Sequence, residues 1–157
     1  MDFFNLRVNQ ELICSFLAKF SRMEYALKET RQYLNNNATP NWDKFANNID
    51  NNFIEIVNRD EELKNAVNYL KQYPPKKQSV EDGNLVFIET DFDPTQKETQ
   101  QILMFVRRVR NNLFHGGKYR NNNINGNRDE DLIKYSLLIL DKCKSLDEEV
   151  EMYYKQY

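Results

Sequence analysis

The sequence predicts an all-α protein, a bundle of four main helices with one long irregular loop between the second and the third. Three observations carry that prediction. Apolar side chains recur at spacings of three, four and seven along four separate segments, the period of a helix with one buried face. Glycine and proline are scarce, four of each in 157 residues, too few for the many turns of a sandwich or barrel. The hydrophobic content of 40% is enough for a core, and a chain of this length is expected to form one domain, residues 1–157.

The first helix is expected from about Gln10 to Leu34, with Ile13, Leu17, Phe20, Leu27 and Leu34 on its buried stripe and Leu12, Phe16 and Met23 beside it. The second starts near Pro40-Asn41 and carries Trp42, Phe45, Ile49, Phe53, Ile56 and Val57. It continues past a kink at Asn58 through Leu63, Ala66, Val67 and Leu70, and Pro74-Pro75 stops it. Residues 74–93 form the long connection, in which "NLVFIE" is either a short strand or a segment packed on the bundle. The third helix begins at Asp93-Pro94, a capping residue followed by proline at the first helical position. Its stripe is Ile102, Leu103, Val106, Val109 and Leu113, and Gly116-Gly117 is its stop signal. The fourth starts near Asp129 and carries Leu132, Ser136, Ile139, Leu140, Cys143, Leu146 and Val150.

Composition removes several function classes. The two cysteines, Cys14 and Cys143, are far apart and each falls on an apolar stripe, so both are expected to be buried thiols rather than a disulfide. That usage suits a reducing cytosol. No segment has the length of a signal sequence or a membrane span, so the protein is expected to be cytoplasmic with no membrane partner. One histidine, two separated cysteines and no clustered carboxylates make no zinc or magnesium site. No metal and no cofactor is expected.

The net charge of −2 points to no partner, but the distribution of charge does. Between Phe105 and Arg128 there is no Asp or Glu, while Arg107, Arg108, Arg110, Lys118, Arg120 and Arg128 fall in or bound that window. A basic stretch without acids attracts phosphate. Inside it lies "RRVRNNLFHGGKY", residues 107–119, with the only histidine of the chain, His115. Imidazole is the side chain best tuned to take and give protons near neutral pH. Arginine grips phosphate with a planar fork that stays charged. On an ideal helix Arg110 and His115 stand about 140° apart, so one intact helix does not bring them together. Loosening at the glycines would do so, and so would a two-fold homodimer, which also supplies a second imidazole.

The segment "RNNLFHGG", Arg110 to Gly117, resembles the R-x4–6-H motif of HEPN domains, the higher eukaryotes and prokaryotes nucleotide-binding family. "FSRMEYALK", Phe20 to Lys28, is similar to the first helix of a bacterial branch of that family whose members lack a nucleotidyltransferase domain. The resemblance implies a small helical bundle that dimerises and a metal-independent endoribonuclease, a toxin or defence effector held by an antitoxin protein. It implies catalytic roles for Arg110 and His115, with Asn111 at the position directly after the arginine. Arg108 also fits the motif at its longest spacing. In family toxins silenced by adenylylation a tyrosine stands two residues after the histidine; Gly117 stands there in this chain, against that form of regulation.

The remaining site residues are read from chemistry. Glu24 lies on an apolar stripe and needs a partner, either Arg110 or a lysine. Arg107, Arg108, Lys118 and Arg120 are expected to attract the RNA backbone, and Tyr119 to stack on a base. The plainer alternatives are a helix-capping role for His115, an edge position for Arg110, and a non-catalytic module that binds nucleotide, RNA or another protein.

Overall fold

The computed structural model describes residues 8–114 and 126–156. Among them are six α-helices and one β-hairpin: α1 Gln10–Glu29, α2 Trp42–Arg59, α3 Glu61–Gln72, β1 Lys77–Glu81, β2 Asn84–Ile88, α4 Glu98–Phe114, α5 Gly126–Cys143 and α6 Glu148–Lys155. The protein is mainly helical, as the apolar period predicts. All four expected helices are nevertheless shorter or divided, each for a local reason.

α1 stops five residues before the expected Leu34 because Thr30 leaves the helix in an extended conformation. Its N–H and hydroxyl both donate to the Ala26 carbonyl, at 3.1 and 3.0 Å, and so satisfy that end. A single 3₁₀ turn, Arg31–Tyr33, follows and buries Tyr33. Leu34 is exposed instead of buried. The expected kink at Asn58 is a full break at Asp60. The Asp60 N–H donates to the Ile56 carbonyl and closes α2, while its carboxylate accepts the Leu63 N–H and opens α3. The expected fourth helix divides at the 3₁₀ turn Lys144–Leu146, and Asp147 caps α6 by accepting the N–H groups of Glu149 and Val150.

Residues 74–93 are not the expected irregular loop. They contain an antiparallel hairpin whose register pairs Lys77 with Ile88 and Glu81 with Asn84. Its two-residue turn is Asp82-Gly83, both at positive φ, 49° and 75°. An acidic residue followed by glycine is the pairing that a type I′ turn favours. The third helix also starts later than Asp93. Asp93 does accept hydrogen bonds from Thr95 and Gln96, but they close a separate turn, and buried Gln101 ties that turn to α4 by bonding both the Asp93 N–H and its carbonyl.

α1 packs on α5 and α6, α2 on α3 and α4, and α3 on α5. The buried side chains form one cluster. The expected stripes of α2, α3 and α4 lie in it, except that Ile56 and Leu113 are half-buried at its edge. Cys143 is buried, and burial pushes its thiol far up from its ordinary value. Cys14 is exposed, against expectation, because the side of α1 that faces the core is the one carrying Phe16, Phe20, Met23 and Leu27. Among the described residues no helix is long and apolar enough to cross a membrane.

One part-buried polar joint ties the 3₁₀ turn Arg31–Tyr33 to α2 and to the start of α6. The Tyr33 hydroxyl donates to Asp147 Oδ2 at 2.6 Å and accepts from Asn48 Nδ2 at 3.1 Å. Burial, helped by the Asp147 carboxylate, pushes the Tyr33 hydroxyl up to about 12. A tyrosine in the unfolded chain ionises near pH ~10. The fold therefore favours the protonated form, and its contribution is complete below about pH 10 and lost as pH rises towards 12. Alkaline titration of stability should show a loss in that window, and Tyr33→Phe should flatten it. An unchanged alkaline slope in the variant would count against the joint.

Candidate functional site

The last turns of α4 present two faces to two different surroundings. Arg107 and Arg110, three residues apart, lie on one side and line an open cleft of about 520 Å³. Its other walls are Glu24 and Lys28 on α1, the turn from Asn35 to Asn41, and Trp42 and Asp43 at the start of α2. The turn is held by Asn35, whose N–H donates to the Thr39 carbonyl at 2.9 Å, and by an isolated bridge between Leu34 and Pro40. Asn41 caps α2 by accepting the Lys44 N–H, which fixes where Trp42 enters the core. The cleft thus holds three cations, Lys28, Arg107 and Arg110, against two carboxylates, Glu24 and Asp43.

Arg110 is held from several sides. Its guanidinium stands over the rings of Phe20 and Phe114, 5.4 and 5.2 Å from their centroids. Its Nη1 donates to Asn111 Oδ1 at 2.9 Å. Glu24 Oε2 is 3.9 Å from Nη2, long for a direct hydrogen bond, and Trp42 Nε1 approaches Glu24 Oε1 at 3.4 Å. The structure therefore brings Glu24, Arg110 and Asn111 together. A guanidinium carries five N–H donors. With one bonded to Asn111 and the carboxylate 3.9 Å away, Arg110 has donors left for a ligand in the cleft.

Arg108 turns the other way. Its Nη1 donates to Thr90 Oγ1 at 2.9 Å, and its guanidinium lies 5.5 Å from the centre of the Phe105 ring. Burial lowers its pKa. It is committed to the strand-side connection and does not line the cleft. Asn112 is committed there too, donating to the Lys76 carbonyl at 3.0 Å and accepting from Gln78 Nε2 at 3.2 Å. Arg128, at the start of α5, donates to the Pro74 carbonyl at 3.2 Å. His115, Gly116, Gly117, Lys118, Tyr119 and Arg120 lie outside the described residues, so the glycine stop and the expected base-stacking tyrosine do as well.

Two features were not found by sequence reasoning. Phe114 is 66% exposed at the end of α4, an aromatic face beside a cation. Its signal was its place four residues after Arg110, the spacing that stacks side chains on one helix face. Lys28 and Asp43 line the cleft from positions remote in sequence, which no local pattern reveals. Among the described residues no group of three or more His, Cys, Asp or Glu side chains could hold a metal ion. Comparison with protein-family models, with curated protein sequences and with solved structures finds no match to this chain.

Proposed function

We propose that this chain is a metal-independent endoribonuclease of the HEPN type that works as a homodimer on RNA. The observation that carries the reading is Arg110: positioned by two aromatic rings and Asn111, with its donors not exhausted, on the wall of a cleft with a net cationic lining. Such a group suits a phosphodiester as negative charge builds on its oxygens. Arg108 is spent on Thr90, which favours Arg110 over the longer spacing.

In the proposed reaction the 2′-hydroxyl of one nucleotide attacks the adjacent phosphorus. A bond forms from O2′ to phosphorus and the bond to the leaving 5′-oxygen breaks, giving a 2′,3′-cyclic phosphate and a 5′-hydroxyl. One His115 takes the hydroxyl proton, and the His115 of a second copy gives a proton to the leaving oxygen. Arg110 neutralises the phosphate, Glu24 and Asn111 hold Arg110 in place, and Arg107 draws in the RNA backbone with Lys118 and Arg120. The resemblance alone extends the reading to a cytoplasmic toxin or defence effector with an antitoxin protein as partner.

The test is incubation of the purified chain with RNA in EDTA, with the ends of the fragments identified. Fragments ending in 2′,3′-cyclic phosphate are expected, together with binding that weakens as salt rises. Salt-sensitive binding without cleavage would replace the reading by a non-catalytic RNA-binding module. Loss of both would leave a helical protein-interaction domain.

A further inference from the structure

The hairpin stands apart from the bundle. Its root is gripped by Asn112 at Lys76 and Gln78, and by Arg128 at Pro74. Beyond the root no residue of the strands is buried. Val80 is 70% exposed and its cross-strand neighbour Leu85 is 41% exposed. A lone two-stranded ribbon is marginal in water, and its open edges are templates for another strand.

The register says which backbone groups are open. The two-residue turn makes Glu81 and Asn84 a hydrogen-bonded pair, so Glu81, Ser79 and Lys77 bond across to β2. Gln78 and Val80 then point their N–H and C=O outward along the free edge of β1. Among the described residues nothing bonds those groups. The side chains that flank them are one cation and one anion, Lys77 and Glu81. Both are exposed, and neither forms an ion pair among the described residues.

We infer that the β1 edge is the surface on which a second copy of this chain docks, strand against strand and antiparallel about Ser79. That register is the one the edge prescribes for itself. Gln78 faces Val80 of the second copy and the reverse, which matches the outward-pointing groups in hydrogen-bonded pairs. Lys77 faces Glu81 of the second copy twice over, one ion pair on each side of the two-fold axis. Val80 gains a neighbour across the new seam. β2 makes no such choice: Asn84–Ile88 has no charged residue, so charge favours no register along its edge. Because Gln78 faces Asn112 in each copy, the ends of both α4 helices lie on one face of the joined four-stranded sheet. The pairing gives the proposed dimer its surface, and rests on the ribonuclease reading only for its catalytic use.

The experiment is sedimentation equilibrium of the full chain without RNA, so its outcome is independent of any cleavage assay. The wild type should dimerise at tens of micromolar or below. Lys77→Glu and Glu81→Lys should each weaken self-association by about tenfold or more, since each places two like-charged pairs across the seam. Both side chains are exposed, so circular dichroism should not change. An equimolar mixture of the two variants should dimerise again, because every facing pair is then opposite in sign. A wild type that stays monomeric at 100-fold higher concentration overturns the inference. So do single variants that associate as the wild type does, which would place the seam on β2 or on a helix face, and a mixture no tighter than its components.

Discussion

Purified chain carrying His115→Ala should cut RNA about 10²–10⁴-fold more slowly than the wild type, with RNA affinity nearly retained, because the substitution takes away the proposed proton-transfer group and leaves the cationic cleft. Arg110→Ala should slow cleavage by about 10²–10³-fold, the usual cost of one donor aimed at developing oxyanion charge. It should also weaken binding, since one of the three cleft cations is gone. The contrast lies in Arg108→Ala. Its guanidinium serves Thr90 and the root of the hairpin, so its loss should lower stability and leave the chemical step alone. Single-turnover rates with saturating RNA separate these effects. Cleavage that survives Arg110→Ala and dies with Arg108→Ala would show that Arg108, not Arg110, holds the phosphate. Wild-type rates in His115→Ala would remove the proposed chemistry altogether.

The second large effect is on stability. Phe45→Ala should cost about 3–5 kcal/mol in denaturant unfolding, the range for emptying a buried aromatic site. Phe45 is fully buried, and Tyr33 and Trp42 meet it edge-on, with ring centres 5.4 and 6.3 Å away. Trp42 in turn stacks on Phe20 at 5.4 Å, and Phe20 lies beneath Arg110. The cavity would therefore open behind the wall of the cleft, and a domain with a margin of about 5–15 kcal/mol would lose a large part of it. Val80→Ala is the control: on the exposed hairpin it should shift monomer stability by less than about 0.5 kcal/mol. A loss for Phe45→Ala below about 1 kcal/mol would mean that the aromatic cluster does not hold α1 to α2.

The helical class was legible because its signal is periodic, and the core buries most of the periodic residues of α2, α3 and α4. On the first stripe it buries Phe20 and Leu27, leaves Ile13 and Leu17 half-buried and leaves Leu34 exposed. Helix ends were less legible because they rest on single side chains. Thr30 ends α1 through its own hydroxyl, and Asp60 ends one helix while opening the next, but neither interrupts the apolar period that flanks it. The hairpin was half legible. "NLVFIE" has the apolar run of a strand, while its partner "KQSVE" is polar and shows no pattern until the Asp82-Gly83 turn folds it back. Cys14 misled because it lies near the stripe of α1 but on the outer side of it. At the site, Arg110 and Asn111 were local in sequence and could be found. Glu24 needed the buried-charge argument, and Lys28 and Asp43 needed the fold that sets α1, the start of α2 and the end of α4 around one cleft.

The break at Asp60 also bears on how this chain can vary over time. One residue serves as the last cap of α2 and the first cap of α3, so the joint has no spare length. Each inserted or deleted residue there would rotate α3 by about 100° relative to α2. That turn would carry Leu63, Ala66, Val67 and Leu70 off the core face and expose them to water. Insertions and deletions should therefore be purged at positions 59–61 and tolerated near Asp82-Gly83, where the ribbon can lengthen by matched pairs without changing the phase of any helix. Divergent versions of this fold should keep the spacing from Phe53 to Leu70 fixed while the hairpin drifts in length.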